Sequence, residues 1–197
     1  MKVRLLQAER QATTALFLIE LGEVSVTEKV VGYKKSRLYT SENVGYGQVN
    51  LPELTMHTDG LWLTATEAAL DIYTSEVLDD AIRGLGNALR PVASLFLLCS
   101  VRDIGKAPRG SKEELAAGDP LKARPGIYFY DRRPGGVGLT SQLFAIIDRA
   151  MARTLDLIAG CRCRHGCPSC VGPQRDKSSP VKQIAIEIAS AFSNISS

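Results

Sequence analysis

The chain reads as an α+β fold: a strand-rich N-terminal part over residues 1–66, then a helical part over 67–197. The second part carries a strand–glycine-rich turn–helix unit and a four-cysteine zinc knuckle. Three observations predict this. β-Branched and other apolar residues recur near period two in the first third. From Leu78 the apolar spacing changes to alternating steps of four and three. Four of the five cysteines then fall within ten residues, as Cys161, Cys163, Cys167 and Cys170. With 45% hydrophobic residues among 197, the chain can bury a core as one unit, and no apolar run is long enough to cross a membrane. The N-terminus lacks the residue order of a signal peptide, so a cytoplasmic setting is expected.

In chain order, Leu16 to Leu21 is a short apolar run that suits a buried strand, with a turn expected at Gly22-Glu23. Val24, Val26 and Val30 mark the next strand. Tyr33 to Tyr39 reads as a strand pair with a basic tip at Lys34, Lys35 and Arg37. Flanking tyrosines give that tip two readings: a nucleic-acid contact, since bases stack on aromatic faces, or a solvated hairpin with tyrosines packed on the sheet. The solvated hairpin is favoured. Asn43 to Asn50 reads as a glycine-rich loop. Leu54 to Thr64 returns to strand pattern around Trp62, a core anchor.

Helices are expected to start near Thr66 and Ser75. Leu78, Ile82, Leu85, Leu89, Val92, Phe96 and Cys99 form one buried stripe, kinked or split at Pro91. Gly84 and Gly86 weaken that helix and admit a close neighbour. Cys99 continues the stripe as a small core residue. Asp103 to Gly126 reads as a surface loop, with a short helix around Lys112 to Ala117. Ile127 to Tyr130 is a compact strand. It leads through Asp131-Arg-Arg-Pro-Gly-Gly-Val-Gly138 into a helix running from Leu139 to Ala159. Backbone N–H groups at such a turn can hold an anion, so Gly135, Gly136 and Gly138 are candidate anion contacts, although tight-turn geometry alone is the favoured reading. A last amphipathic helix follows Ser179-Pro180.

The cysteines carry the strongest chemistry. Two close pairs separated by Gly166 suit tetrahedral zinc, which four thiolates surround at about 2.3 Å. Cys161 and Cys163 are too close to pair comfortably as a disulfide. A redox pair at Cys167 and Cys170 is the competing reading. Four thiolates would close the shell, so one structural zinc is expected and His165 is read as a polar loop residue. The formal charge of +3 falls to about +1 once four thiolates and one Zn²⁺ are counted, so any basic surface is local. Arg162, Arg164, Arg175, Lys177 and Lys182 surround the knuckle; the first four of these, with Lys34, Lys35 and Arg37, are the candidate nucleic-acid contacts.

These residues have a familiar order. Val31-Gly-Tyr-Lys-Lys35, Leu51-Pro52, Leu61-Trp-Leu63, Arg102-Asp-Ile-Gly105, Tyr130-Asp131, Pro134-Gly-Gly-Val-Gly-Leu139 and the cysteine cluster together resemble one domain. It is the zinc-binding domain at the C-terminal end of DEAD/DEAH-box helicases, of the mitomycin repair factor type. The resemblance runs from about Glu23 to Ile188. It implies that Cys161, Cys163, Cys167 and Cys170 share one zinc, and that the domain supports a DNA-translocating motor in DNA repair. Asn87 and Ser100 depart from the histidine and the acid usual at those places.

The chain has no Gly-x-x-x-x-Gly-Lys-Ser/Thr to hold ATP phosphates and no Asp-Glu-x-His/Asp for magnesium, so a non-catalytic accessory role is expected. The motor then lies in a longer version of this chain or in a separate subunit. A zinc deaminase would need a His-x-Glu that the chain lacks. A scaffold that docks a motor without touching nucleic acid is the alternative.

Overall fold

The computed structural model describes residues 1–109, 124–173 and 179–192. Its elements are β1 (Lys2–Thr13), β2 (Phe17–Glu28), β3 (Gly32–Ser36), β4 (Asn43–Gln48), β5 (Leu54–Ala65), α1 (Glu67–Ile72), α2 (Ser75–Phe96), β6 (Ile104–Arg109), β7 (Gly126–Asp131), α3 (Leu139–Ala145), α4 (Ile147–Ala159) and α5 (Val181–Ala191). The α+β reading holds, with one refinement. The main sheet has the order β1-β2-β5-β7-β6, so two strands from the second half complete a sheet begun in the first. All its pairings are antiparallel.

Period-two alternation sends side chains to two different cores. Phe17, Ile19 and Leu21 of β2, Leu61 and Leu63 of β5, and Ile127 and Phe129 of β7 meet the helices in the larger one. Val24, Val26, Trp62, Tyr128 and Tyr130 point the other way into a smaller cluster with Val3 and Ala107. Trp62 is fully buried there, and its Nε1 donates to Glu20 Oε2 at 2.6 Å. An indole in a dry site needs such an acceptor.

Four local expectations are corrected. Gly22 and Glu23 do not turn: β2 runs straight through them, with Gly22 opposite Ala8 and Gly60. A Cβ on Gly22 would collide with the backbone of Gln7. Here glycine marks close approach at an irregular stretch of β1. Asn43 to Gln48 is a strand, since β3 supplies the backbone partners. Ile104 to Arg109 is edge strand β6, not loop, because β7 offers its free side; the expected helix at Lys112 to Ala117 lies outside the described residues. The helix after Gly138 is two helices, broken at Ile146, whose φ of −122° leaves helical space.

Helix α2 carries the expected stripe. Leu78, Ile82, Leu85, Leu89 and Val92 are buried, and the helix passes Pro91 without splitting, but the stripe stops at Val92: Phe96 is exposed at the last residue of the helix and Cys99 lies beyond its end. Gly84 and Gly86 do admit neighbours. A Cβ on Gly84 would stand 3.0 Å from Val181 and 3.1 Å from Val171, and one on Gly86 would strike Ile127. The two glycines let α2 lie against β7 on one side and against α5 and the end of the knuckle on the other.

Candidate metal centre

Helix α4 ends at Gly160, and the Cys161 N–H still bonds back to the Ile158 carbonyl at 3.3 Å. The chain then reverses at Gly166, whose φ of 114° only glycine adopts without strain. Cys167 to Cys170 follows as a single tight turn in which the Cys167 carbonyl accepts from the N–H groups of Cys170, Val171 and Gly172 at 3.1–3.2 Å. This folding gathers the four sulfurs within 4.8 Å of one another. The Cys161–Cys167, Cys163–Cys170 and Cys167–Cys170 sulfur separations are 3.6, 3.5 and 3.6 Å.

Those separations exclude a disulfide and suit a metal ion. A disulfide would bring two sulfurs to about 2.05 Å, and all five cysteines are free. Four sulfurs set tetrahedrally about 2.3 Å from zinc stand ~3.8 Å apart. The set therefore fits zinc. Cys161, Cys163, Cys167 and Cys170 would hold the ion and leave no place for water, so the chemistry supplied is cross-linking. The surroundings already favour ionised sulfur at Cys167, whose thiol lies well below its usual range, at about 6, chiefly because the Ser169 N–H points at it. Burial pushes Cys170 the other way, up to about 12. A dication beside it would reverse that. His165 is exposed and is not among the four clustered groups. Cys99 is half-buried against the main core, and burial raises its thiol.

The roles of two supporting side chains were not legible in the sequence. Lys182, in the first turn of α5, is only 8% exposed, and its Nζ donates to the carbonyls of Cys161 at 2.7 Å and Cys163 at 2.8 Å. The sequence places it among the exposed basic residues around the knuckle; the fold corrects this, burying it to tie the last helix to the first cysteine pair. A cation at a helix N-terminus opposes the helix dipole, which is the signal that it needs acceptors elsewhere. Asn87 of α2 donates to the Val171 carbonyl at 2.9 Å and accepts from Lys106 Nζ. An amide at this position thus joins the knuckle to α2 and to β6.

The candidate cations divide into three groups. Arg162 and Arg164 stand exposed between the cysteines, and Lys34, Lys35 and Arg37 stand exposed on the β3–β4 hairpin. Arg175 and Lys177 lie outside the described residues. The structure does not pack Tyr33 and Tyr39 on the main sheet; both are exposed.

The turn at Gly135, Gly136 and Gly138 does hold an anion, but it is the chain's own. The buried Asp131 carboxylate accepts from the N–H groups of Val137 at 2.8 Å, Leu139 at 3.1 Å and Thr140 at 2.9 Å. Gly135 N–H donates to the His57 carbonyl and Gly136 N–H to that of Arg133. With the Gly135 and Gly136 N–H groups engaged inside the chain, the geometry agrees with the favoured reading of a tight turn. The glycines serve the turn.

Comparison with known proteins adds the context. Residues 85–171 match the model of the MrfA Zn-binding domain. That span contains most of α2, β6, β7, the Asp131 turn and all four clustered cysteines, so the resemblance read from the sequence holds where its chemistry lies. The chain is 29% identical over 173 residues to the ATP-dependent helicase YprA of Bacillus subtilis, covering 88% of this chain and 22% of the relative. It is 26% identical over 175 residues to the ATP-dependent helicase HRQ1 of Saccharomyces cerevisiae, covering 86% and 16%. Its fold matches the crystal structure of the helicase MrfA bound to DNA with a TM-score of 0.76 and 25% identity, over 98% of this chain and 24% of that one. The chain spans less than a quarter of the length of these relatives.

Proposed function

We propose that this chain is a non-catalytic, cytoplasmic accessory domain of an ATP-dependent DNA helicase, acting in DNA repair as one unit built round one structural zinc. The motor belongs to the same chain or to a separate subunit. The observation that carries this reading is the closed four-sulfur cluster inside the span matched by the MrfA Zn-binding domain, with Arg162 and Arg164 exposed between its ligands. The DNA-bound state of the helicase MrfA supports nucleic acid as the partner. Together with Lys34, Lys35 and Arg37, these arginines make backbone contacts that are weak and independent of sequence, in the range of roughly 10⁻⁴ to 10⁻⁶ M at physiological salt.

DNA binding followed by anisotropy across a salt series tests this. The double variant Arg162→Ala, Arg164→Ala is expected to bind more weakly, with a salt slope flatter by about one for each phosphate it no longer neutralises. An unchanged affinity and slope, with zinc and fold retained, would remove the knuckle as a DNA-binding surface. A docking scaffold without nucleic-acid contact is the second reading. Leu95 and Leu98, both exposed at the end of α2, favour it. Firm binding to a helicase motor with no DNA binding at low salt would establish it.

A further inference from the structure

The segment between β2 and β5 is unlike the rest of the molecule. Glu28 and Leu54 pair across the sheet, and a Lys29–Glu53 ion pair of 3.7 Å closes the base of the excursion between them. From Lys29 to Thr55 no residue is buried. The excursion folds as a separate two-stranded ribbon, β3 on β4. A lone hairpin is marginal in water, yet its side chains are not spent on a core. It holds three of the chain's six tyrosines. Tyr33, Tyr46 and Tyr39 are 46%, 76% and 96% exposed.

Register places these rings beside cations on both faces. Tyr33 pairs with Gly47 and Lys35 with Gly45, so alternation puts this tyrosine and this lysine on one face above two glycines. The Tyr33 ring lies over Gly47, where a Cβ would collide with it, and Lys35 Nζ stands 5.8 Å from its centroid. Gly45 has open space where its Cβ would be. On the other face Lys34 stands directly opposite Tyr46. Arg37 at the tip pairs with Glu42 at 3.5 Å. Each face thus presents an aromatic plane beside an ammonium group. A duplex hides its base faces and offers phosphates alone, whereas a single strand offers both base and phosphate.

We infer that the β3–β4 hairpin is a grip for single-stranded nucleic acid, stacking bases on Tyr33 and Tyr46 and holding phosphates with Lys34 and Lys35. The inference rests on the nucleic-acid reading above and narrows it to one strand and one element. The test measures binding of the chain, with its zinc, to a fluorescent oligothymidylate of about 15 nucleotides and to a duplex of equal length. Tyr33→Leu with Tyr46→Leu should weaken the single strand by at least tenfold, leave the duplex within twofold, and leave zinc content and melting temperature unchanged. Lys34→Gln with Lys35→Gln should weaken both and flatten the salt slope by about 1–2. Equal single-strand affinity in parent and tyrosine variant would overturn the grip while leaving backbone binding at the knuckle intact. Absence of binding to either probe by the parent would overturn the nucleic-acid reading itself, and the grip with it.

Discussion

Two loops of this protein solve the same problem with opposite means. The Asp131–Gly138 turn and the Cys161–Cys170 knuckle each bring a glycine-bearing reversal next to groups that can carry negative charge. At Asp131 the charge is one carboxylate, and three backbone N–H groups meet it at 2.8–3.1 Å. Nothing from outside is needed. At the knuckle four sulfurs stand within 4.8 Å. Their nearby donors are a few amides, while Lys182 Nζ is turned to the Cys161 and Cys163 carbonyls, not to sulfur. Four sulfurs at that spacing can be ionised together only with a cation among them. One loop is complete as folded; the other is half of a metal site.

The largest expected effect separates the two directly. Zinc removal by a strong chelator, or Cys167→Ser, should lower the melting temperature by more than about 10 °C. Structural zinc contributes on the order of 10 kcal/mol in isolated fingers, and the sheet core here retains part of the fold. Hydrogen exchange should rise from Gly160 through α5 and stay slow in β5, β7 and the Asp131 turn. Uniform loss of protection in both regions would break the comparison.

Asp131→Ala should come next, at about 2–3 kcal/mol, because three N–H groups, that of Thr140 buried and those of Val137 and Leu139 partly buried, lose their acceptor together. Asp131→Asn keeps one acceptor and should cost less. Denaturant melts of both variants at saturating zinc are the check, and added zinc should rescue neither. Zinc content should match the parent.

Lys182→Met probes the link between the knuckle and the last helix. It removes two hydrogen bonds to the Cys161 and Cys163 carbonyls, and removing such support around the ligands typically weakens metal binding about 10- to 100-fold. Competition against a chromogenic chelator would measure this. Unchanged affinity would show that the lysine serves α5 alone.

The smallest effect lies farther out, at Lys106. Burial, with Arg90 and Arg83 nearby, lowers its ammonium to about 8. Unfolded lysine titrates near about 10.4. Below pH 8 both states are protonated and the cost of the half-buried charge is fully present. Between about 8 and 10.4 the unfolded state binds more protons, so stability rises with pH. Solvent screening keeps this to about 1 kcal/mol. Denaturant melts across that window should show the rise in the parent and its loss in Lys106→Met.

How legible these features were follows from the range of the interactions behind them. The cysteine cluster is local, so spacing alone exposed it. The stripe on α2 is periodic and survived even Pro91. Strand β6 is not local: Ile104–Arg109 has little pattern of its own and becomes a strand because β7 lies beside it. Gly22 looked like punctuation because a sequence cannot show Gln7 pressing on it from β1. Asp131 reads as an ordinary acid before a turn, and only the fold shows it filling the turn it precedes. Lys182 and Asn87 each act on backbone carbonyls far along the chain, at Cys161, Cys163 and Val171. No spacing rule encodes such pairings.

The central claim is that the knuckle is a closed four-thiolate zinc site. X-ray absorption at the zinc edge, on protein purified without chelators and with zinc quantified in the same sample, tests it most directly. The account predicts one zinc per chain with four sulfur neighbours at about 2.3 Å. A nitrogen or oxygen neighbour in the shell, or protein that carries no zinc and contains a sulfur–sulfur bond, would contradict it.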